Sequence, residues 1–225
     1  SCSFEQVSDD EIVIYTSRQP QLIENLLSVF TEETGIQVTV LSGDAQQLME
    51  RITVESKDTD ADIFMTVDAG VLWQAADKGI FDTVESEVLS SRIPKHLRDI
   101  DNQWFGFSKR ARTIVYSKSD IDPRDLSTYE ALATKEFEKK LCLRTSKKVY
   151  NRSLIASMIE ANGAESTERV VKGWVNNLAE PVFSSDTNVL KAVESGNCGL
   201  TIVNTYYLAR LIESCLLYTS PSPRD

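Results

Sequence analysis

The stretch EIVIYTSRQPQLIENLLSVFTEETGIQVTVLSG, residues 11–43, decides the fold class. It begins with a short β-branched run at 11–17, continues past Pro20 with apolar residues at helical spacing until Gly35, and then returns to a β-branched run. A strand, a helix and a second strand in this order are typical of two parallel strands joined by a crossover helix. The stretch therefore predicts an α/β protein whose sheet is covered by helices.

The same order of elements continues downstream and completes a first unit. Asp44 predicts the N-cap of a helix that runs through Ser56, and the stretch ADIFMTVD, residues 61–68, predicts a third strand that leads into another helix. Asp68 is expected to cap that helix. We assign residues 1–108 to a first α/β lobe, and we expect ligands at the carboxyl ends of its strands.

A second series of elements predicts a second α/β lobe at residues 109–213. It opens with an extended segment, residues 104–117, in which Arg110 and Arg112 share a face because alternate residues of a strand point the same way. Two such units joined by an extended crossover predict a two-lobe molecule with a cleft. The other expected elements are a helical stretch at 129–139, a strand at 140–146, helices at 151–161 and 166–178, a strand at 181–185, a helix that Asp186 caps and Gly196 ends, and a last strand at 198–205.

Composition and motifs narrow the classes of function. The 225 residues are 41% hydrophobic and 26% charged, which is typical of a globular protein, and no apolar run approaches the roughly 20 residues of a transmembrane helix. The formal net charge of -10 argues against nucleic acid, since its partners concentrate Lys and Arg. Nucleotide-binding and nucleophile motifs are absent, and the one histidine, His96, lies in a polar stretch. We therefore expect a binding protein rather than an enzyme. Separately, we expect it to be a monomer.

Four tyrosines lie where predicted strands give way to helices, namely Tyr15, Tyr150, Tyr206 and Tyr207. A phenol ordinarily keeps its proton until about pH 10, so it is a poor acid–base catalyst near neutrality. A bound cation can remove that proton, and hard oxygen donors suit a small, highly charged ion. The pattern therefore indicates a phenolate site for ferric iron. A single tyrosine at a strand end more often packs half-buried with a wet hydroxyl, and we assign Tyr116 and Tyr129 to packing of this kind.

We make separate predictions for the cysteines and for the two ends of the chain. Cys142 and Cys198 start predicted strands of the second lobe, and they are either a disulfide between neighbouring strands or two buried thiols. Cys2 is a candidate for lipid attachment, and a simple processed terminus is the alternative. The final stretch CLLYTSPSPRD breaks the preceding helical pattern and resembles sequencing-adapter read-through, so we treat residues 214–225 as a non-native tail.

Six segments of the sequence act together as a signature. They are YTSRQPQLIENLLSVFTEETGIQV (15–38), TVDAGVLW (66–73), WFGFSKRARTIVYS (104–117), LCLRTSKKVYNRSLIAS (141–157), SDTNVLKAVESGNC (185–198) and NTYYLARL (204–211). In combination they resemble the ferric-iron substrate-binding proteins of bacterial ABC transporters. The resemblance implies an α/β protein with the two-lobe architecture of type II periplasmic binding proteins, here incomplete at the C-terminus. It also implies a periplasmic or lipid-anchored protein that delivers Fe³⁺ to an inner-membrane permease.

The same resemblance implies roles for individual tyrosines. Position by position, it makes Tyr206 and Tyr207 the paired iron ligands and Tyr150 a third ligand. Tyr15, in the YTSR motif, matches a tyrosine that ligates iron in part of the family. Where some members carry histidine or His-Tyr, this chain has Gln-Pro at 19–20, so no ligand is expected there.

A small synergistic anion such as carbonate is also expected beside the iron. A guanidinium group offers a planar fork of donors that fits a trigonal oxyanion, so arginines near the tyrosines are the candidate ligands of this anion. The spacing of these arginines does not decide which one binds the anion. For Arg110 and Arg112, the alternative is a solvated charge on the face of the strand. The candidates are Arg18, Arg110 and Arg112.

Two rival functions remain open at this stage. A two-lobe receptor for an oxyanion or an organic ligand uses the same scaffold, because fold does not fix function. It predicts a cleft with aromatic walls and no convergence of phenols. An enzyme on the same scaffold needs a catalytic group of His, Cys or paired carboxylates that the sequence does not offer.

Overall fold

The computed structural model describes residues 11–213, and internal contacts divide the chain into one unit that ends at Phe107 and a second that starts at Ser108. The division falls one residue before the expected boundary. We still only predict that the two units act as lobes around a ligand. Cys2 and the tail 214–225 lie outside the described residues. Between residues 11 and 213, no helix is both long enough and apolar enough to cross a bilayer.

The first unit is built on a parallel three-stranded sheet, in the order β2-β1-β3. Helices follow each strand, as the βαβ pattern of the sequence predicts. The strands are β1 (Glu11–Thr16), β2 (Gln37–Ser42) and β3 (Ile63–Met65), and the helices are α1 (Glu24–Thr34), α2 (Ala45–Glu55), α3 (Ala69–Asp77) and α4 (Glu87–Arg92).

The predicted helix boundaries of the first unit are confirmed where a polar cap or a glycine sets them. The Asp44 carboxylate accepts the backbone N–H groups at the start of α2, and Asp68 accepts from the N–H of Gly70 at the start of α3. Gly35 ends α1 with φ of 76°, a left-handed conformation that costs a side-chain-bearing residue more. The helix expected at Pro20 begins instead as one 3₁₀ turn, and the α-helix starts at Glu24.

The second unit is built on a mixed sheet in the order β4-β6-β5. The central strand β6 runs antiparallel to β4 and parallel to β5, and all five of its residues are buried. Its neighbours in the core include Leu132, Phe137 and Leu141, none more than 2% exposed. The strands are β4 (Arg112–Tyr116), β5 (Leu141–Cys142) and β6 (Leu200–Asn204), and the helices are α5 (Val149–Asn162), α6 (Ala164–Asn176), α7 (Asp186–Glu194) and α8 (Thr205–Glu213).

Several predicted elements of the second series are shorter than expected. The strand expected at 140–146 is a strand only over Leu141–Cys142. The extended segment 104–117 is a strand only from Arg112, because Phe105 pairs back with Arg98 in an isolated bridge. The helical stretch at 129–139 consists of two short 3₁₀ turns. The strand expected at 181–185 is reduced to one bridge between Phe183 and Arg144, since Pro181 has no N–H to extend the ladder.

The predicted N-cap of α7 is wrong. Ser185 is the cap, because its hydroxyl accepts the N–H of Asn188 at 3.2 Å. Asp186 is the first residue of the helix and is fully buried, and its carboxylate is directed at two arginines. A polar side chain can cap a helix only when it faces the free N–H groups, and this one faces the sheet.

The disulfide alternative for Cys142 and Cys198 is confirmed. The two residues are bonded, with their Cα atoms 5.9 Å apart, and both are buried beside Val189 and Val193 of α7. The bridge ties β5 to the segment that enters β6. Closing a loop of this length stabilises the folded state by about 4 kcal/mol in the chain-entropy account.

Candidate metal centre

Tyr206 and Tyr207 lie side by side where the buried strand β6 gives way to α8. Asn204 ends the strand and Thr205 begins the helix, so both tyrosines occupy the first helical turn. Their ring centroids are 4.4 Å apart and both side chains are half-buried. Side chains on a helix slant toward its N-terminus, so these phenols are directed back to the edge where β6 ends.

Tyr150 joins this pair from a second helix start. It is the second residue of α5, and its hydroxyl and that of Tyr207 both interact with the Tyr206 hydroxyl. The three phenol hydroxyls therefore lie close together. The structure thus brings together three of the four predicted tyrosines.

The environment keeps two of these phenols protonated. Burial raises the pKa of Tyr206 and the pKa of Tyr207 above the ordinary value of 10.0. Hydrogen bonds oppose this effect, from Asn204 to Tyr206 and from Arg144 to Tyr207. Because burial is the largest cause, both phenols are neutral near pH 7.

Two guanidinium groups lie over the ring of Tyr150. The central carbon of Arg110 is 4.7 Å from the ring centroid, and that of Arg144 is 4.8 Å away. The side chain of Arg144 is only 10% exposed, and it also reaches Asp186 at 3.7 Å and the hydroxyl of Tyr207. Cations placed over an aromatic ring are attracted to its face, and they would be attracted more strongly to a phenolate.

The sequence analysis missed Arg144. Its signal was its position in LCLRTS, two residues beyond Cys142 at the carboxyl end of β5. The carboxyl edge of a sheet is where ligands gather, so any arginine at that position was a candidate.

Arg112, which was predicted to hold an anion, is bound to the protein itself. Its Nη1 donates to Asp186 at 3.3 Å and to Asn204 at 3.0 Å, and its Nη2 donates to Asn151 at 2.8 Å and to the carbonyl of Ile202 at 2.7 Å. Burial lowers its pKa, and the Asp186 carboxylate opposes that effect. A role for Arg112 in anion binding stays a prediction, because its four donated bonds go to protein atoms.

Tyr15 lies in the first unit, and its surroundings differ from those of the other three tyrosines. Its side chain packs on the face of β1 that contacts Leu48 and Ile52 of α2, and it is 2% exposed. Its hydroxyl donates to Glu55 at 3.4 Å, and Arg51 lies over its ring at 5.1 Å. Burial is the largest cause of its raised pKa. Its expected role as an iron ligand stays a prediction, and it requires the phenol to leave this core.

Arg18 lies two residues beyond the end of β1. Its backbone N–H donates to the hydroxyl of Thr16, and its Nε is buried without a hydrogen-bond partner, as are the hydroxyls of Ser17 and Thr66. These polar atoms gather at the carboxyl edge of the first sheet, where β1 and β3 end. Binding of an anion by Arg18 stays a prediction.

The sequence profile of bacterial extracellular solute-binding proteins matches residues 25–213. The chain belongs to this family. Members are binding proteins rather than enzymes, and the expected α/β fold of two-lobe periplasmic binding proteins is confirmed by the solved structures that resemble the chain.

Particular relatives of this solute-binding protein carry iron in their names. It is 45% identical over 204 residues to iron uptake protein A1 of Synechocystis, a match that covers 91% of this chain and 57% of the relative. A Trichodesmium protein solved in complex with iron and citrate ligands is 44% identical, with a TM-score of 0.83 over 89% of this chain and 64% of that one. The ferric binding protein from Campylobacter jejuni is 34% identical, with a TM-score of 0.84 over 94% of this chain and 66% of that one. The expected resemblance is confirmed, and the chain spans about three fifths of the length of the curated relatives it matches.

Proposed function

We propose that this chain captures Fe³⁺ through the phenolates of Tyr150, Tyr206 and Tyr207, as the binding component of an ABC transporter outside the cytoplasm. The observation that carries the proposal is the cluster of these three phenols at two helix starts of the second unit. A hard trivalent ion needs several oxygen donors at once, and the three phenols supply them from one unit of the chain.

The positive charge of Fe³⁺ and the protons of the three phenols determine how the ion is bound. Three phenolates balance the charge of Fe³⁺, so each tyrosine must release its proton when the metal binds. The guanidinium of Arg144 lies beside Tyr207 and over Tyr150, where it favours the negative phenolate. Metal entry thus exchanges three phenol protons for one ion.

A small anion completes the proposed site. Arg110 and Arg144 add two positive charges around Tyr150, and planar donor forks suit carbonate or a carboxylate. The Trichodesmium relative binds iron together with citrate, which supports a ligand of this chemistry. We favour these two arginines over Arg112, because both lie over the ring of Tyr150, whereas Nη1 and Nη2 of Arg112 donate to protein atoms.

The proposal rests on three tyrosines rather than four. Tyr15 is packed under α2 with its hydroxyl on Glu55, so the capture step as we propose it does not use this phenol. Delivery to an inner-membrane permease and location in the periplasm are part of this proposal, and the family and the names of the relatives support them. Attachment of a lipid through Cys2 stays a prediction.

A direct test is to add Fe³⁺, with bicarbonate or citrate, to the metal-free chain and record the visible spectrum. We expect a tyrosinate-to-iron charge-transfer band that saturates at one ion per chain. Apo protein that stays colourless with either anion would contradict the proposal. Thermal stabilisation by an organic solute or an oxyanion without iron would then favour the rival receptor.

A further inference from the structure

The last residue of β6 connects the tyrosines to a buried charge pair. Asn204 is fully buried and lies directly opposite Arg112 in the antiparallel register of β4 and β6. Its side-chain oxygen accepts from Nη1 of Arg112 at 3.0 Å, and its side-chain nitrogen donates to the hydroxyl oxygen of Tyr206 at 3.1 Å. Asn204 therefore links the buried arginine to the candidate metal centre.

Chemistry fixes the direction of this link. A guanidinium has donors only, so the amide atom that faces Arg112 must be the oxygen, and the NH₂ group must face Tyr206. Arg112 cannot swing away, because Asp186 and Asn151 hold its two terminal nitrogens. The Asp186 carboxylate also accepts the backbone N–H of Asn204 at 3.2 Å. Both the side chain and the main chain of Asn204 are thus held in place.

We propose that Asn204 is a positioning residue for ferric capture, which presents a fixed N–H to the oxygen of Tyr206 and so orients that phenol toward the metal. The inference rests on the proposed function and deepens it. A phenolate oxygen that accepts one hydrogen bond keeps lone pairs for a metal. A carboxylate in the same place would offer only acceptors, so the phenol would donate its proton to it instead of presenting a free oxygen.

Asn151 provides a matched control within the same network. Its side-chain oxygen also accepts from Arg112, but its side-chain nitrogen donates to the backbone carbonyl of Arg144 at 2.6 Å and to no tyrosine. Asn204 and Asn151 are both buried, at 0% and 8% exposure. The same substitution at the two positions therefore places the same new charge beside the same arginine, and only one of them removes a donor from a phenol.

The test compares Asn204→Asp with Asn151→Asp in the full chain, with Asn204→Ala as an uncharged variant in case the new carboxylate prevents folding. We measure ferric affinity by competition with a chelator, the maximum of the visible band, and the unfolding midpoint of the metal-free protein. For both Asn204 variants we expect affinity about tenfold to a hundredfold weaker, as for a lost hydrogen bond to a charged group. We also expect the band to move to longer wavelength, because a phenolate without its donor gives up electron density to iron more easily.

The outcomes separate this inference from the proposed function. Asn151→Asp is expected to lower the unfolding midpoint but to leave the band maximum in place. Asn204 variants with wild-type affinity and band would overturn the positioning role while the iron function stands. An equal band shift in Asn151→Asp would also overturn it, because the effect would then come from added charge. A wild-type chain that binds no Fe³⁺ would remove the proposed function itself, and this inference with it.

Discussion

The ends of β1 and β6 look alike in sequence but place their tyrosines in different surroundings. Each is a β-branched strand that leads toward a helix, and a tyrosine lies at or just beyond the end of each. Tyr15 still belongs to β1, and its ring is packed against α2. Tyr206 belongs to α8, and its hydroxyl joins those of Tyr150 and Tyr207. The difference is the side of the strand–helix boundary on which the tyrosine lies.

The geometry of the two elements explains this contrast. A strand directs successive side chains to opposite faces of the sheet, where helices cover them. A helix directs the side chains of its first turn back toward its N-terminus, which here adjoins the carboxyl edge of the sheet. Glu55, the partner of Tyr15, ends α2, and it also accepts from Thr59, four residues before β3 begins. The Tyr15 phenol is therefore directed away from the carboxyl edge.

The largest expected effect comes from removing phenols at the end of β6. Tyr206→Phe combined with Tyr207→Phe removes two donor oxygens with little change in volume. We expect ferric affinity to fall more than about a thousandfold, because loss of even an outer-shell partner costs about 10- to 100-fold. Tyr116→Phe on β4 is the matched control, since its ring packs against the core of the same unit. Retention of the visible band and of tight binding by the double variant would show that the phenols at this edge are not ligands.

Acid should release the metal from this edge of the second unit. The pKa values of Tyr206 and Tyr207 are raised by burial, so both phenols are protonated in the metal-free protein at neutral pH and must lose protons to bind iron. Affinity therefore rises with pH and falls as pH is lowered, by about a thousandfold per pH unit for the three protons that the proposed capture step releases. Proton release on adding Fe³⁺ in weak buffer measures the number directly. Binding without proton release would mean that neutral groups hold the ion.

The charge that surrounds Tyr150 allows a smaller test. Arg144→Gln removes a guanidinium from the faces of Tyr150 and from the Tyr207 hydroxyl. We expect about tenfold weaker ferric affinity, as for one charge-assisted hydrogen bond, and a weaker response to added bicarbonate or citrate. Arg152→Gln, on the exposed side of α5, serves as the control. An unchanged response to the anion in Arg144→Gln would place the anion elsewhere.

Local sequence signals were sufficient to predict part of the fold and part of the candidate metal centre. Asp44, Asp68 and Gly35 set their helix boundaries through contacts within a few residues, so their roles could be predicted. Tyr206 and Tyr150 were predicted as ligands because they lie where predicted strands give way to helices. Asn204 was missed because its importance arises from long-range pairing, and Arg144 was missed although its position beyond the end of β5 made it a candidate.

Long-range pairing also explains the wrong role given to Asp186. Asn204 meets Arg112 only because β4 and β6 are antiparallel neighbours in a particular register, 92 residues apart in sequence. Asp186 has a residue type that is common at N-caps, and local rules therefore assigned it to that role. The two arginines that form ion pairs with its buried carboxylate come from β4 and from the end of β5. No local pattern reports such a pair.

The smallest expected effect comes from removing the hydroxyl of Tyr15, at the end of β1. Tyr15→Phe removes one hydroxyl whose bond to Glu55 is long at 3.4 Å, and Glu55 keeps Thr59 and Arg51 as partners. The change in unfolding free energy should be below about 1 kcal/mol, and ferric affinity should stay within about twofold of wild type. Chelator competition on this variant, beside the single variant Tyr206→Phe, makes the comparison quantitative. A loss at Tyr15 as large as that at Tyr206 would mean that the phenol leaves the core to bind iron, and it would restore the four-tyrosine site that the sequence predicts.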